Sequence, residues 1–302
     1  MEKISVIIPT ARPLTMWQNL VDDLAICDID ELIIVYDSPS TNKMRDSRSL
    51  AWQTQTTIPL IIEHSGTNNR LPCANASIVR NIGLTRARYR CVVCIDDDNR
   101  VSPDFFSAIR QYRKPQIALI PYEYTPQGKL RSRGYQGLSP WTTRPIPAGT
   151  STILTPLSFA SSNCFVIDNS LGYRFDETIP FVYEDFLFFV QWTQNKNLLL
   201  SCSSLQTTHH MQPKTKDHDL YVHTPDRAFQ KGKHRILLAY KVFFGWKYLV
   251  WICLGLWIHS IYCIIIILLS STDRKRERIV AFANGSYQGR KQASRNKTTK
   301  QQ

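Results

Sequence analysis

Three consecutive carboxylates, Asp96, Asp97 and Asp98, follow the apolar run Cys91-Val92-Val93-Cys94-Ile95. Like charges a few ångströms apart repel, and a divalent cation is the simplest compensation. Magnesium and manganese take carboxylate oxygens together with substrate phosphate oxygens, so Asp-x-Asp after a buried strand reads as a platform for a metal-bound diphosphate. Asp-Asp-Asp-Asn is also turn chemistry, and a solvated acidic turn is the plain alternative. A second acidic pair, Glu184-Asp185, opens a helical pattern. Acids there stabilise a helix N-terminus, and a carboxylate within reach of a hydroxyl can take its proton as it attacks. Arg80 carries a planar guanidinium fork that matches phosphate oxygens. Its neighbour Asn81 could as well hydrogen-bond a nearby loop. His209-His210 stands beyond the last expected strand, where a histidine could complete the metal site or simply be polar surface.

These residues need elements to bring them together. Ile4 to Thr10, Glu31 to Asp37, Leu60 to Glu63 and Arg90 to Ile95 are short β-branched runs, as buried parallel strands are. Helical patterns stand between them, from Leu14 to Ile26 and from Asn75 to Arg88. Such alternation predicts an α/β fold with a mostly parallel sheet and helices on both faces. Ligands then bind beyond the carboxyl ends of the strands, where Asp37 and Asp96 to Asp98 lie. Phe159 to Ile167 and Leu198 to Cys202 read as further strands, and Glu184 to Asn195 as a helix. The stretch 110–158 is rich in proline, arginine and aromatics and gives no clear assignment beyond an extra hairpin and loops around the site.

The net charge of +13 asks for an anionic partner. Basic residues crowd both sides of the most apolar stretch, Tyr248 to Leu269, which contains no Asp, Glu, Lys or Arg. Lys241 and Lys247 precede it; Arg274, Lys275, Arg276 and Arg278 follow. That placement points to anionic lipid head groups rather than to nucleic acid. The stretch is long enough to cross about 30 Å of hydrocarbon. Basic flanks at both ends equally fit a segment bent or lying within one leaflet. The chain therefore divides into a catalytic unit over 1–230, a basic-flanked apolar segment over 231–278 with its core at 248–269, and a basic tail over 279–302 expected to be disordered. Met1 leads straight into a strand, and Cys91, Cys94, Cys164, Cys253 and Cys263 sit in apolar runs rather than in a disulfide framework. Both features point to a reduced, cytoplasmic compartment.

In order and spacing, Ile4 to Thr10, Asp37, Val79-Arg80-Asn81-Ile82-Gly83, Ile95 to Asn99 and Tyr183-Glu184-Asp185 resemble the family 2 glycosyltransferases of the GT-A fold. The resemblance covers roughly residues 3 to 210. It implies that Pro9 and Thr10 line a nucleobase pocket, that Asp37 contacts base or ribose, and that Arg80 and Asn81 bind substrate. Asp96 and Asp98 become the ends of the Asp-x-Asp motif, with Asp97 between them and His209 as a further metal ligand. Asp185 becomes the general base, and Glu184 orients it or the acceptor. The implied reaction is a metal-dependent (Mn2+ or Mg2+), inverting transfer of a hexose or deoxyhexose from a nucleoside-diphosphate sugar. The 278–290 segment resembles the tails of bacterial members that act on lipid-linked glycans, which implies a glycan or polyprenyl-linked acceptor at the inner membrane. Tyr36-Asp37-Ser38-Pro39 departs from the paired acids usual in the family. Two other readings stay open: a sugar nucleotidyltransferase, disfavoured because Pro9-Thr10-Ala11-Arg12-Pro13 has no glycine, and a non-catalytic membrane-bound scaffold or glycan-binding protein.

Overall fold

A computed structural model describes residues 2–12, 18–38, 56–66, 75–141, 143–149, 153–179, 182–210, 224–243, 246–269 and 274–298. Its strands are β1 (Ile4–Thr10), β2 (Glu31–Tyr36), β3 (Leu60–His64), β4 (Cys91–Ile95), β5 (Asn99–Val101), β6 (Ile117–Tyr124), β7 (Leu130–Ser132), β8 (Tyr135–Leu138), β9 (Pro145–Pro147), β10 (Leu154–Pro156), β11 (Cys164–Asp168) and β12 (Leu198–His209). The helices are α1 (Gln18–Ala25), α2 (Ala76–Arg86), α3 (Phe105–Tyr112), α4 (Glu184–Gln194), α5 (Pro225–Val242), α6 (Trp246–Val250), α7 (Leu256–Leu269) and α8 (Lys275–Thr298).

The main sheet runs β10-β12-β6-β11-β4-β1-β2-β3, with β5 on β12 and β7 on β6. Strands β3, β2, β1 and β4 are mutually parallel, whereas β11 is antiparallel to both β4 and β6. Side chains alternate across this sheet, and each face is covered. Ile4, Val6 and Ile8 of β1 join Leu20 and Leu24 of α1 and Phe105 and Phe106 of α3 in one core. Ile7 faces the other way, into a core with Val79 of α2, Phe188 and Trp192 of α4 and Leu238 of α5. Continuous apolar runs are what burial on both faces demands. Cys91 and Cys94 of β4 fall into these opposite cores, so they form no metal-binding pair.

The stretch without a sequence assignment holds α3's end, β6 and β7, the separate β8–β9 hairpin, and β10. The last core strand is longer than expected, extending to His209 rather than stopping near Cys202. Its register shifts between Cys202 and Gln206, after which it continues alongside β6 and also pairs with β5.

Two C-terminal expectations need correction. The apolar segment is not one uninterrupted α-helix: a π-helical turn, Trp251–Gly255, separates α6 from α7. Among the described residues no helix is long and apolar enough to cross a membrane. At this turn Trp251 is buried against Tyr240 and Phe243. A Cβ on Gly255 would collide with the Pro140 carbonyl oxygen, so glycine lets this backbone lie directly on the sheet-bearing unit. The basic tail, expected to be disordered, is helical over its described residues: α8 runs to Thr298 and packs along α5. Cβ atoms on Gly232, Gly285 or Gly289 would each meet backbone oxygen of the opposite helix. Close backbone approach replaces large apolar side chains as the source of contact.

Candidate functional site

Parallel register brings the chemistry together. Thr10 pairs with Tyr36 and Ile7 with Cys94, so the carboxyl ends of β1, β2 and β4 lie side by side. Asp37 and Asp96 are the next residues out. A pocket of about 120 Å3 opens there, lined by Pro9, Thr10, Arg12, Asp37, Arg80 and all three aspartates. A larger polar depression, about 450 Å3, runs along β5 and β12 from Asp23 to His210 and contains none of these residues. The converging charges, and with them the candidate site, lie in the smaller pocket.

Arg80 is the centre of the site. Arg80 is 5% exposed, and its guanidinium lies 3.0 Å from Asp96 Oδ1 and 3.1 Å from Glu184 Oε1 and stacks over the Phe175 ring at 5.5 Å. The two carboxylates hold Arg80 firmly protonated against its own burial. Burial pushes Asp96 up to about 7, with Arg80 opposing the rise and Asp98 adding to it. Burial likewise pushes Asp97 up to about 6, opposed by Arg12 and Thr10. Thr10 Oγ1 donates to Asp97 at 2.6 Å, and Arg12 reaches Asp97 at 2.5 Å and Asp98 at 3.3 Å. Asp97 thus ties the end of β1 to the end of β4. Asp37 is held from two sides, its carboxylate accepting from Ser65 at 3.0 Å and Asn75 at 2.9 Å.

Glu184 and Asp185 begin α4, where the helix dipole favours charge and burial opposes it. Burial wins. Glu184 rises to about 7, aided by Asp185 and opposed by Arg80, and Asp185 rises to about 6, opposed by Arg80 and by backbone donors. Those donors are Phe186 N–H at 2.8 Å and Ser162 N–H at 3.1 Å, one on each carboxylate oxygen. The turn feeding this helix is strained: Val182 and Tyr183 have φ of 62° and 70°. Two such residues cost about 1–3 kcal/mol each and persist only where their surroundings hold them.

Not every expected residue faces the pocket. Asn81 is fully engaged elsewhere: its amide donates to Phe175 O and Glu177, both at 2.9 Å, and accepts from Phe175 N at 2.8 Å. It fixes the 175–177 loop rather than offering itself to a ligand. The expected metal set also divides, with Asp96 turned to Arg80 and His209 beside Asp98. Strand pairing sets His209 opposite Asn99 and its Nδ1 3.6 Å from Asp98 Oδ1. This nitrogen is buried without a hydrogen bond, and burial lowers the imidazole pKa more than Asp98 raises it. Among the described residues no three His, Cys, Asp or Glu side chains converge as a ready-made metal site. His210 is exposed, and only its backbone N–H, on Asp98 O at 2.7 Å, touches the cluster.

Two residues enter unannounced. Arg12 sits in the loop read earlier only for its lack of glycine. Glu123, 4% exposed at the end of β6, accepts from Arg131 at 2.7 Å and Asn163 at 2.8 Å and lies 3.4 Å from His209. It falls in the stretch that carried no sequence assignment, and only the long-range pairing of β6 with β12 reveals it.

No protein-family model matches the chain, and no curated protein matches it. Solved structures do. The fold resembles that of S. aureus TarS. Residues 1–349 of TarS in complex with UDP-GlcNAc align at a TM-score of 0.59 and 15% identity, covering 94% of this chain and 81% of that one. The complex of TarS 1–349 with UDP aligns at 0.56 and 16% identity, covering 94% and 80%. At such identities the likeness to TarS is one of fold. Coverage of 94% of this chain extends past β12.

Proposed function

We propose that this chain is an inverting glycosyltransferase that moves a sugar from a nucleoside-diphosphate sugar of the UDP class to a hydroxyl of a glycan or polyprenyl-linked glycan. The observation that carries the reading is Arg80, one buried guanidinium bonded to both carboxylate sites. It stands between the diphosphate platform of Asp96 to Asp98 and the base pair Glu184-Asp185. Asp185, with a pKa raised toward neutrality, suits removal of the acceptor proton as the hydroxyl attacks. Pro9, Thr10 and Asp37 line the nucleoside end. A separate base beside the donor platform fits single displacement, and a pure binding module would have no use for it. The shared fold with a protein solved with UDP-GlcNAc and with UDP supports the donor class.

Asp98 and the unbonded His209 Nδ1 are suited to Mn2+ or Mg2+, with phosphate oxygens completing the shell. When bound, the ion supplies positive charge to the departing diphosphate. Arg12, now on Asp97 and Asp98, must yield part of that position. Screening nucleotide-sugars for thermal stabilisation tests the assignment. UDP-sugars with manganese are expected to raise Tm more than either alone. No shift with any nucleotide-sugar, with or without metal, contradicts it.

We also place the chain at the cytoplasmic face of the inner membrane. Trp246, Leu249, Leu254, Trp257, Ile261, Ile265 and Leu268 are 47–65% exposed and recur along α6, the π-helical turn and α7. Exposed Lys247, Arg274 and Arg276 flank them. With its 14 residues α7 is about 21 Å long, short of the ~30 Å core of a bilayer. It suits lying in one leaflet, with basic flanks on anionic head groups. Sedimentation with phosphatidylglycerol vesicles is expected, and the double variant Trp257→Glu, Ile261→Glu is expected to stay in solution. Equal sedimentation of both proteins contradicts this placement.

A further inference from the structure

Two successive residues of α5, His234 and Arg235, bond the two most unusual backbone positions around the site. Among the described non-glycine residues at positive φ, the β-branched ones are Val182 at 62° and Thr143 at 51°. Such residues are true outliers in the left-handed region and need external support. His234, fully buried, places Nδ1 2.9 Å from the Val182 carbonyl oxygen. A carbonyl only accepts, so Nδ1 carries the proton. Arg235 Nε donates to Thr143 Oγ1 at 2.7 Å, and both residues are buried. Val182 is followed by Tyr183, also left-handed and the N-cap of α4. Whatever fixes Val182 therefore fixes the direction in which α4 starts, and with it Glu184 and Asp185.

We infer that His234 is a positioning residue for the catalytic carboxylates: by holding the Val182 carbonyl it sets Glu184 against Arg80 and Asp185 against Ser162. The inference rests on Glu184-Asp185 being the catalytic pair. Arg235 braces the 139–144 loop from the next position along α5. The same helix packs on α8, with Gly232 against Phe282 and Ser286. The C-terminal helices are thus part of the frame of the site as well as an attachment.

The test compares the full chain with His234→Leu, which removes the donor, and His234→Asn, whose amide N–H stands where the Nδ1–H stood. Hydrogen exchange is followed together with UDP release from UDP-GlcNAc in manganese, and Asp185→Asn serves as the reference for the proposed chemistry. In His234→Leu, exchange is expected to quicken over residues 182–190 and 158–163 but not in β1 to β4. A misplacement near 1 Å predicts a fall in kcat on the order of 10²-fold with the KM for UDP-GlcNAc changed less than about twofold. His234→Asn is expected to restore both. If the leucine variant does not fold, His234→Gln, whose amide reaches one methylene farther, takes its place in the comparison. Unchanged exchange and kcat on losing the donor, or a loss that asparagine does not recover, overturns the positioning role. Quickened exchange that asparagine reverses, with no UDP release even from the wild type, keeps that role and removes the transferase reading.

Discussion

Replacing Arg80 by methionine keeps most of the side-chain volume and removes the charge shared by Asp96 and Glu184. Breaking a buried ion pair from one side typically costs about 3–5 kcal/mol, because the abandoned charges stay buried. For a chain of this size that corresponds to a fall in Tm of roughly 5–8 °C. The pH dependence follows from the two partners. Both carboxyls are raised to about 7 in the folded protein, from 3.8 for Asp96 and 4.5 for Glu184. Between those limits the folded state binds more protons than the unfolded one, so each group costs stability as pH rises through that window. Without Arg80 both groups rise further, and the deficit of the variant is greatest near pH 8. It narrows toward pH 5, where the carboxyls are neutral and need no partner. Thermal or urea unfolding of both proteins at pH 5, 6, 7 and 8 measures this. An equal deficit at pH 5 and pH 8, or a deficit below about 1 kcal/mol at pH 8, refutes the view of Arg80 as the shared counter-charge.

The base must be ionised to act, so kcat is expected to rise with pH through the window of about 6 to 7 set by Asp185 and Glu184. A flat profile from pH 5 to 8 contradicts their involvement. Asn81→Ala leaves buried backbone groups of Phe175 without partners and is expected to cost about 1–3 kcal/mol. Calorimetric donor affinity should be unchanged at a temperature where the variant is folded, and a matching loss of affinity returns Asn81 to the pocket. His209→Ala is expected to weaken manganese activation about 10- to 100-fold. An unaltered manganese titration removes His209 from the metal site.

The sheet was legible because strands buried on both faces must be continuously apolar, and β1, β2 and β4 are. The carboxylates were legible because Asp96 and Glu184-Asp185 adjoin apolar periodic runs, which marks element ends. Glu123 was not, since its place depends on β6 pairing with a strand about eighty residues away. Asn81 and Arg80 are neighbours on one helix, and only their side-chain partners show that one faces the site and the other a loop. The helix of the tail escapes a hydrophobic reading because its buried residues, Phe282, Gly285, Ser286, Gly289 and Ala293, are mostly small. Their spacing is helical, but a hydrophobic count passes over glycine and serine, although close backbone approach can pack a helix as well as leucine does. The apolar segment was long enough to span by composition. Gly255 and Trp251 instead pack on the sheet-bearing unit, a contact that no local pattern announces.

UDP release from UDP-sugars with manganese or magnesium, measured for wild type and Asp185→Asn alongside donor binding to each, decides the assignment. Release by the wild type is expected, and chelation is expected to abolish it. In Asp185→Asn release is expected to be lowered by about 10²- to 10⁴-fold, the share of a general base, with donor affinity preserved. Equal release by the two proteins, or donor binding without metal-stimulated release from any UDP-sugar, would contradict it.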